Sequence, residues 1–162
     1  MELKSAETYD TRDTEALGIR VSMWSCEVTA SYTIEDAVLE LVIQLPSSYP
    51  LRLAQVGSGK GGGRAAGINE ARWRAWVLSV SAVMASQNGS IIDALTVFNK
   101  NISMHFKGIE DCAICYSVVS AIDRALPNKQ CKTCKNQFHG SCLYKWFKSS
   151  GQNTCPLCRQ PF

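Results

Sequence analysis

Residues 112–158 read CAICYSVVSAIDRALPNKQCKTCKNQFHGSCLYKWFKSSGQNTCPLC and contain eight side chains that bind metal through sulfur or imidazole. They form four pairs, and two residues separate the members of each pair. This spacing lets a tight turn present both side chains to one tetrahedral ion. Eight ligands complete two four-coordinate sites and leave no position for water, which predicts closed structural sites rather than a catalytic metal. The pairs are Cys112 and Cys115, Cys131 and Cys134, His139 and Cys142, and Cys155 and Cys158.

The distribution of the cysteines favours metal over disulfides. The chain has 162 residues with eight cysteines and two histidines, and seven of the cysteines lie in that stretch. A disulfide-stabilised secreted protein more often distributes its cysteines throughout its core. The N-terminus has no apolar signal-peptide core, and no apolar run approaches the roughly 20 residues of a membrane span. We therefore expect a reducing compartment, cytosolic or nuclear, and no membrane partner.

The basic excess of the chain lies in its cysteine-rich part. The formal net charge is +3. Residues 1–107 contain ten Lys/Arg and eleven Asp/Glu, whereas residues 108–162 contain seven Lys/Arg and three Asp/Glu. Two zinc ions bound by seven thiolates would add three negative charges and bring the chain close to neutrality. A DNA-binding surface is therefore not expected. The small cluster of Lys129, Lys132 and Lys135 is as compatible with solvated loop side chains as with a partner contact.

The distributions of cysteine and charge divide the chain into two units, residues 1–107 and residues 108–162. We expect the ordered core of the first unit to begin at about residue 15. In the first unit, alternating apolar residues predict a strand over 18–33, with a bulge or bend near Trp24. A turn at 34–37 leads into a second strand that ends before Pro46 and Pro50. Residues 51–56 indicate one more short strand. We expect an antiparallel sheet built from hairpins.

Two helices are predicted after the sheet. Asn69 is an N-cap candidate for a helix that runs to about Gln87, and Ser90 with Asp93 forms a capping-box pattern for the second. Apolar residues at helical spacing give each helix one buried face, so the first unit has an α+β fold. These residues are Trp73, Trp76, Val77, Val80 and Met84 in the first helix, and Ile91, Leu95, Phe98 and Ile102 in the second.

Cys26 and His105 lie outside the four pairs. Cys26 has no His or Asp near it in sequence, so we interpret it as a buried strand cysteine rather than a catalytic thiol. His105 lies near the predicted end of the second helix, where a cation suits the helix dipole. We expect a structural role for it.

The order of strands, a Tyr49-Pro50 turn and a long helix pair resembles an RWD domain over roughly residues 15–107. The resemblance implies a fold related to ubiquitin-conjugating enzymes without their catalytic cysteine.

The order of the metal ligands is found both in RING variants and in PHD fingers. PHD fingers usually place a large aromatic residue two positions before the seventh ligand, where this chain has Asn153. The knuckles Cys-Ala-Ile-Cys and Cys-Pro-Leu-Cys-Arg instead resemble RING ubiquitin ligases. That resemblance implies a cross-brace, in which the first and third pairs bind one zinc ion and the second and fourth pairs bind another. The first site would hold Cys112, Cys115, His139 and Cys142, and the second Cys131, Cys134, Cys155 and Cys158.

The RING resemblance also implies a groove for a ubiquitin-conjugating enzyme, formed by Ile114, Trp146, Pro156 and Leu157. The alternative for Trp146 is that it only packs under the knuckles. Arg159 corresponds to the basic residue that contacts the conjugating enzyme and ubiquitin together. The resemblance implies no covalent intermediate, because such ligases hold the enzyme–ubiquitin thioester folded back for attack by a substrate lysine.

Two phrases, NISMHFKGIEDCAIC over 101–115 and KTCKNQFHGSCLYKWF over 132–147, resemble the C-terminal end of the listerin family of ubiquitin ligases. That family acts in ribosome-associated quality control. The resemblance implies a large parent protein of helical repeats, a cytosolic location and an RWD-like part that docks on the large ribosomal subunit through protein or rRNA. The RING would ubiquitinate stalled nascent chains.

Two other functions remain open from the sequence. One is a PHD-like reader of histone tails, against which Asn153 and the few acidic residues of the finger argue. The other is a zinc-stabilised interaction adaptor without ligase activity, against which Ile114 and Arg159 argue.

Overall fold

A computed structural model describes residues 17–162, and their two compact units divide between Lys107 and Gly108. The first unit contains a four-stranded sheet in which every neighbouring pair is antiparallel and the spatial order follows the chain. The strands are β1 (Leu17–Ser22), β2 (Glu27–Ile34), β3 (Ala37–Gln44) and β4 (Gln55–Ser58).

Strict alternation in β3 sets which face of the sheet is buried. Leu39, Leu41 and Ile43 are fully buried, while the residues between them are half-buried or exposed. In the register between the strands, Ala30 of β2 lies opposite Leu41 and Val28 lies opposite Ile43. Because a shift of one residue would turn this apolar set to solvent, the alternation specifies the register.

The predicted single strand over 18–33 is wrong. The chain turns at residues 23–26, and β1 pairs with β2 as a hairpin. Ser25 Oγ donates to Ser22 Oγ at 2.7 Å across this turn, and Trp24 is fully exposed. The change of alternation near Trp24 therefore marks a hairpin turn rather than a bulge or bend.

Cys26 ends this turn with a left-handed backbone, φ 49°. Its carbonyl accepts a hydrogen bond from the Leu45 backbone N–H at 2.8 Å, and its side chain is half-buried. The expectation of a buried strand cysteine is therefore wrong, because the residue closes a turn.

Both predicted helices are present, as α1 (Glu70–Ala85) and α2 (Ile91–Phe106). The Asn69 side chain caps α1 by accepting from the Ala71 N–H at 2.8 Å. Ser90 and Asp93 form both hydrogen bonds of the capping box that begins α2. The helices bury one face each, so the α+β fold is confirmed. Among the described residues, none of the helices is long and apolar enough to span a membrane.

The second unit has little regular structure and a small core. It contains the two-stranded ribbon β5 (Lys129–Gln130) and β6 (Gln137–Phe138), then α3 (Gly140–Ser150). Four of the six buried residues in its core cluster are cysteines, and the other two are Phe138 and Leu143. Phe162 packs its ring 5.9 Å from that of Phe138. An apolar core this small requires additional stabilisation.

Candidate functional site

Three of the four ligand pairs lie in turns with the same geometry. In each, the backbone N–H of the first cysteine donates to the carbonyl five residues later: Cys112 to Ser117, Cys131 to Asn136 and Cys155 to Gln160, at 3.0, 3.1 and 2.8 Å. These hydrogen bonds close each turn and point both sulfur atoms to the same side, as one tetrahedral ion requires.

The residue after the second cysteine of each turn has a left-handed backbone. Tyr116, Lys135 and Arg159 have φ of 57°, 62° and 60°. Such a conformation is uncommon for residues other than glycine. Its repetition in all three turns makes it part of the metal-binding geometry, and it fixes the direction in which the chain leaves each turn.

The four pairs come together in two clusters, the first with the third and the second with the fourth. In each cluster the potential ligand atoms all lie within 4.8 Å of one another. The clusters are Cys112, Cys115, His139 and Cys142, and Cys131, Cys134, Cys155 and Cys158. The interleaved arrangement implied by the RING resemblance is thus the one in the structure.

The distances within both clusters fit tetrahedral zinc. Zinc–sulfur bonds of about 2.3 Å place tetrahedral sulfur atoms about 3.8 Å apart. The Sγ atoms of Cys131 and Cys158 are 3.7 Å apart, and those of Cys134 and Cys155 are also 3.7 Å apart. In the other cluster, His139 Nδ1 lies 3.4 Å from the Cys115 sulfur.

His139 is oriented by a hydrogen bond outside its cluster. Its Nε2 lies 3.0 Å from the Val118 carbonyl, which can only accept, so the proton is on Nε2 and Nδ1 is free to bind an ion. The residue is fully buried and is the N-cap of α3, and its backbone N–H donates to the Cys112 sulfur at 3.4 Å. The start of α3 is therefore fixed to the first cluster.

The thiols of the first cluster differ in how readily they ionise. Burial opposes ionisation of Cys112, but the backbone N–H groups around its sulfur outweigh burial and lower its pKa to about 7. Burial and the neighbouring Cys112 sulfur raise the pKa of Cys142 to about 12. Because one thiolate suppresses ionisation of the next, a cation at the centre is needed to ionise them together.

The second cluster shows the same contrast. Hydrogen bonds from the Asn136 side chain and backbone lower the pKa of Cys134 to about 6. Burial raises the pKa of Cys155 to about 11. The donor set and the distances fit zinc at both clusters.

An open groove of ≈ 650 Å³ lies beside the first cluster, and its lining is mostly apolar. It contains two of the predicted contact residues, Ile114 and Trp146. Trp146 exposes 37% of its surface, so it does not only pack under the knuckles. Its indole N–H donates to the Thr154 carbonyl at 3.1 Å, which fixes the ring against the segment that leads into the last knuckle.

Sequence reasoning missed Ala121 and Ile122, which also line this groove. Ile122 is mostly exposed and lies in a loop organised by Ser120. The Ser120 hydroxyl accepts from the Ile122 N–H at 3.2 Å and lies 3.3 Å from the Ser141 hydroxyl of α3. No periodic pattern marks this loop in the sequence.

The remaining predicted contact residues lie on the last knuckle. Pro156 is half-buried and Leu157 is half exposed, and neither lines the groove of Ile114 and Trp146. Arg159 follows the last ligand, and its side chain is exposed. Its backbone N–H donates to the Cys155 carbonyl at 3.0 Å, so its main chain is fixed while the guanidinium faces solvent.

Comparison with known proteins agrees with this architecture. Residues 17–105 match the family model for ubiquitin conjugating domain-like proteins, and residues 110–159 match the ring finger domain. The chain belongs to the ubiquitin conjugating domain-like family. It carries a RING finger after that domain, and the RING match favours a RING over the PHD alternative.

The chain is also similar over most of its length to E3 ubiquitin-protein ligase listerin from several organisms. The listerin of Schizosaccharomyces pombe is 48% identical over 159 residues, which are 98% of this chain and 10% of that protein. The Saccharomyces cerevisiae listerin is 50% identical over 149 residues, 92% of this chain and 9% of its own length. The Mus musculus listerin is 45% identical over 161 residues, which are 99% of this chain and 9% of that protein. The predicted resemblance to listerin is confirmed, and the chain spans about a tenth of the length of these relatives.

Proposed function

We propose that this chain is a RING-type ubiquitin ligase region, which recruits a ubiquitin-conjugating enzyme and promotes ubiquitin transfer to substrate lysines. The observation that carries the proposal is the exposed apolar groove of Ile114, Ile122 and Trp146 beside a closed metal cluster. Exposed apolar side chains on a small rigid frame are typical of a protein-binding surface.

Each cluster holds one structural zinc ion in this proposal. With four protein ligands per ion no coordination position is left for water, so zinc supplies folding energy and rigidity to the groove. The ligands of the first ion are Cys112, Cys115, His139 and Cys142, and those of the second are Cys131, Cys134, Cys155 and Cys158.

The transfer itself needs no nucleophile from this chain. Among the described residues, Cys26 is the cysteine outside the clusters, and it lies in the β1–β2 turn. The substrate amine attacks the carbonyl carbon of the enzyme–ubiquitin thioester, the C–N bond forms, and the C–S bond breaks. The sulfur stays on the conjugating enzyme, and the amine proton is lost. The chain contributes alignment of the two reactants.

Arg159 supports the aligned state. Its planar guanidinium has five N–H donors, so it can contact the conjugating enzyme and a ubiquitin carbonyl together. Leu157 and Pro156 extend the contact from the groove to the last knuckle.

A ubiquitination assay with the purified chain and a panel of conjugating enzymes tests the ligase proposal. We expect Trp146→Ala and Ile114→Ala each to reduce ubiquitin chain formation about 30-fold, as truncation of a central interface residue does. Zinc content should not change. Tyr144→Ala is the matched control, because Tyr144 is exposed on the same helix and does not line the groove. Undiminished activity of both groove variants would overturn the assignment.

The second part of the proposal is that residues 17–107 dock this ligase on the large ribosomal subunit in the cytosol, so that the substrates are stalled nascent chains. The similarity to listerin over nearly the whole chain supports this. The exposed apolar side chains of Trp24 and Leu51 in loops of this unit also suit a macromolecular partner.

Cosedimentation with purified large subunits that carry a stalled nascent chain tests the docking. We expect binding by the wild-type chain and weaker binding by Trp24→Ala. Leu78→Ala is the control, because Leu78 is exposed on α1 and not in those loops. If the wild-type chain stays in the supernatant at low salt, the ribosomal part of the proposal fails and the ligase part stands.

A further inference from the structure

Two lysines of α3 line the mostly apolar groove. Lys145 and Lys148 are among its lining residues and are exposed, and they are on either side of Trp146 in sequence. Residues three apart on a helix are neighbours on its surface. The two ammonium groups can therefore approach one partner side chain together.

The groove lining contains no acidic residue to balance these charges. Residues 124–162 contain no Asp or Glu at all. The nearest acid in sequence is Asp123, next to Ile122. Its Oδ1 accepts hydrogen bonds from the Ala125 N–H at 3.3 Å and the Ser141 hydroxyl at 3.4 Å, so it is engaged in holding the loop.

We infer that Lys145 and Lys148 select among conjugating enzymes, favouring one that carries an acidic side chain beside its apolar docking residue. This inference rests on the proposed ligase function. The apolar groove provides affinity without distinguishing among partners of similar shape, whereas charge at its rim steers the encounter and opposes partners of like charge. A conjugating enzyme with a basic residue beside its apolar docking residue would be repelled by the two lysines and would bind more weakly.

The test measures ubiquitin discharge to free lysine from several loaded conjugating enzymes that differ in the charge of their RING-facing loops, with the full chain. We expect the double variant Lys145→Glu, Lys148→Glu to lower the rate about tenfold at low salt with the enzyme that is best for the wild-type chain. Changing the acid of that enzyme to lysine should restore the rate. The difference should nearly vanish in 1 M salt, where the Debye length is about 3 Å.

Lys129→Glu is the matched control, because Lys129 is exposed in the same unit and does not line the groove. If the double variant Lys145→Glu, Lys148→Glu loses zinc, the single variants Lys145→Gln and Lys148→Gln test the inference instead. We expect each to lower the rate of ubiquitin discharge about threefold at low salt. Unchanged rates and unchanged ranking of the enzymes in these variants would overturn the inference while the ligase function stands. A wild-type chain inactive with every enzyme would instead overturn the proposed function and this inference with it.

Discussion

The residue after the second cysteine of each turn has a left-handed backbone, a conformation that favours glycine. In the last turn that residue is Arg159. A left-handed conformation costs a residue with a side chain roughly 1 kcal/mol relative to the right-handed one. The hydrogen bond from the Arg159 N–H to the Cys155 carbonyl and the adjacent ligand Cys158 maintain it. Because the main chain of Arg159 is fixed, its side chain starts from a defined position. Fewer conformations are then lost when the guanidinium contacts the conjugating enzyme and ubiquitin.

This geometry allows the role of the Arg159 side chain to be tested without backbone strain. Arg159→Asn keeps a residue that tolerates the left-handed region, and Arg159→Lys keeps the charge but loses the planar fork. We expect both to slow ubiquitin discharge about tenfold while binding of the conjugating enzyme is retained, because the fork acts on the aligned thioester. Single-turnover discharge and a separate binding titration measure the two effects. Lys135→Asn, at the same position of the second turn, should leave both unchanged; wild-type discharge by Arg159→Asn would contradict the role.

His105, near the end of α2, contacts two side chains of α1. Arg72 donates to its Nδ1 at 2.9 Å, and its ring packs edge-on against Trp76 at 5.5 Å. Burial first, and then the Arg72 charge, lower the pKa of His105 below its ordinary value of 6.5. A lowered pKa disfavours the cation that would suit the helix dipole, and the contacts with Arg72 and Trp76 agree with the expected structural role.

The lowered pKa of His105 gives the first unit a defined pH dependence. The unfolded chain binds the His105 proton more tightly than the folded chain, so stability is complete above about pH 6.5 and declines as the pH falls toward the folded pKa. Glu70 and Asp93 also have lowered pKa values, but carboxyl groups take up protons at lower pH than histidine and so affect stability in a more acidic range. Hydrogen exchange of α1 and α2 amides between pH 7 and 5 measures the decline. His105→Phe should flatten it, and an equal decline in that variant would assign it to other groups.

At the scale of elements, local features were predictable and contacts between distant segments were not. Each cysteine turn spans about six residues, so the ligand spacing alone indicated four pairs. The groove depends on the loop of Ile122, which is held by a contact between Ser120 and Ser141, 21 residues apart. No local pattern records such a contact. The β1–β2 hairpin was missed because a bulge and a turn both interrupt alternation, and only the pairing of the strands separates them.

The capping signals show the opposite case. Asn69 and the pair of Ser90 and Asp93 act on backbone N–H groups within three residues, so the sequence predicts both helix starts correctly. The helix ends differ from the prediction by about two residues for α1, which ends at Ala85 rather than near Gln87.

At the scale of the whole molecule, the two units depend on different sources of stability. The first unit has an apolar core whose fully buried side chains include Leu41, Phe98 and Ile102. The core cluster of the second unit consists of four buried cysteines with Phe138 and Leu143. Without an ion, two thiols of each cluster would remain as buried polar groups. Metal coordination therefore replaces in the second unit the apolar burial that stabilises the first.

This difference predicts that a chelator unfolds residues 108–162 and leaves the first unit folded. On addition of EDTA, we expect amide resonances of β5, β6 and α3 to collapse to unfolded positions while those of β1 to β4, α1 and α2 keep their dispersion. Ubiquitination activity should be lost in parallel, because the groove of Ile114 and Trp146 has no frame without the clusters. Cys26→Ser should behave as the wild type, since this thiol lies outside both clusters. Simultaneous loss of all resonances would mean that the chain folds as one cooperative unit, and its stability would then depend on metal as a whole. Full retention of the α3 resonances would mean that the apolar residues suffice and that the clusters are not what shapes the groove.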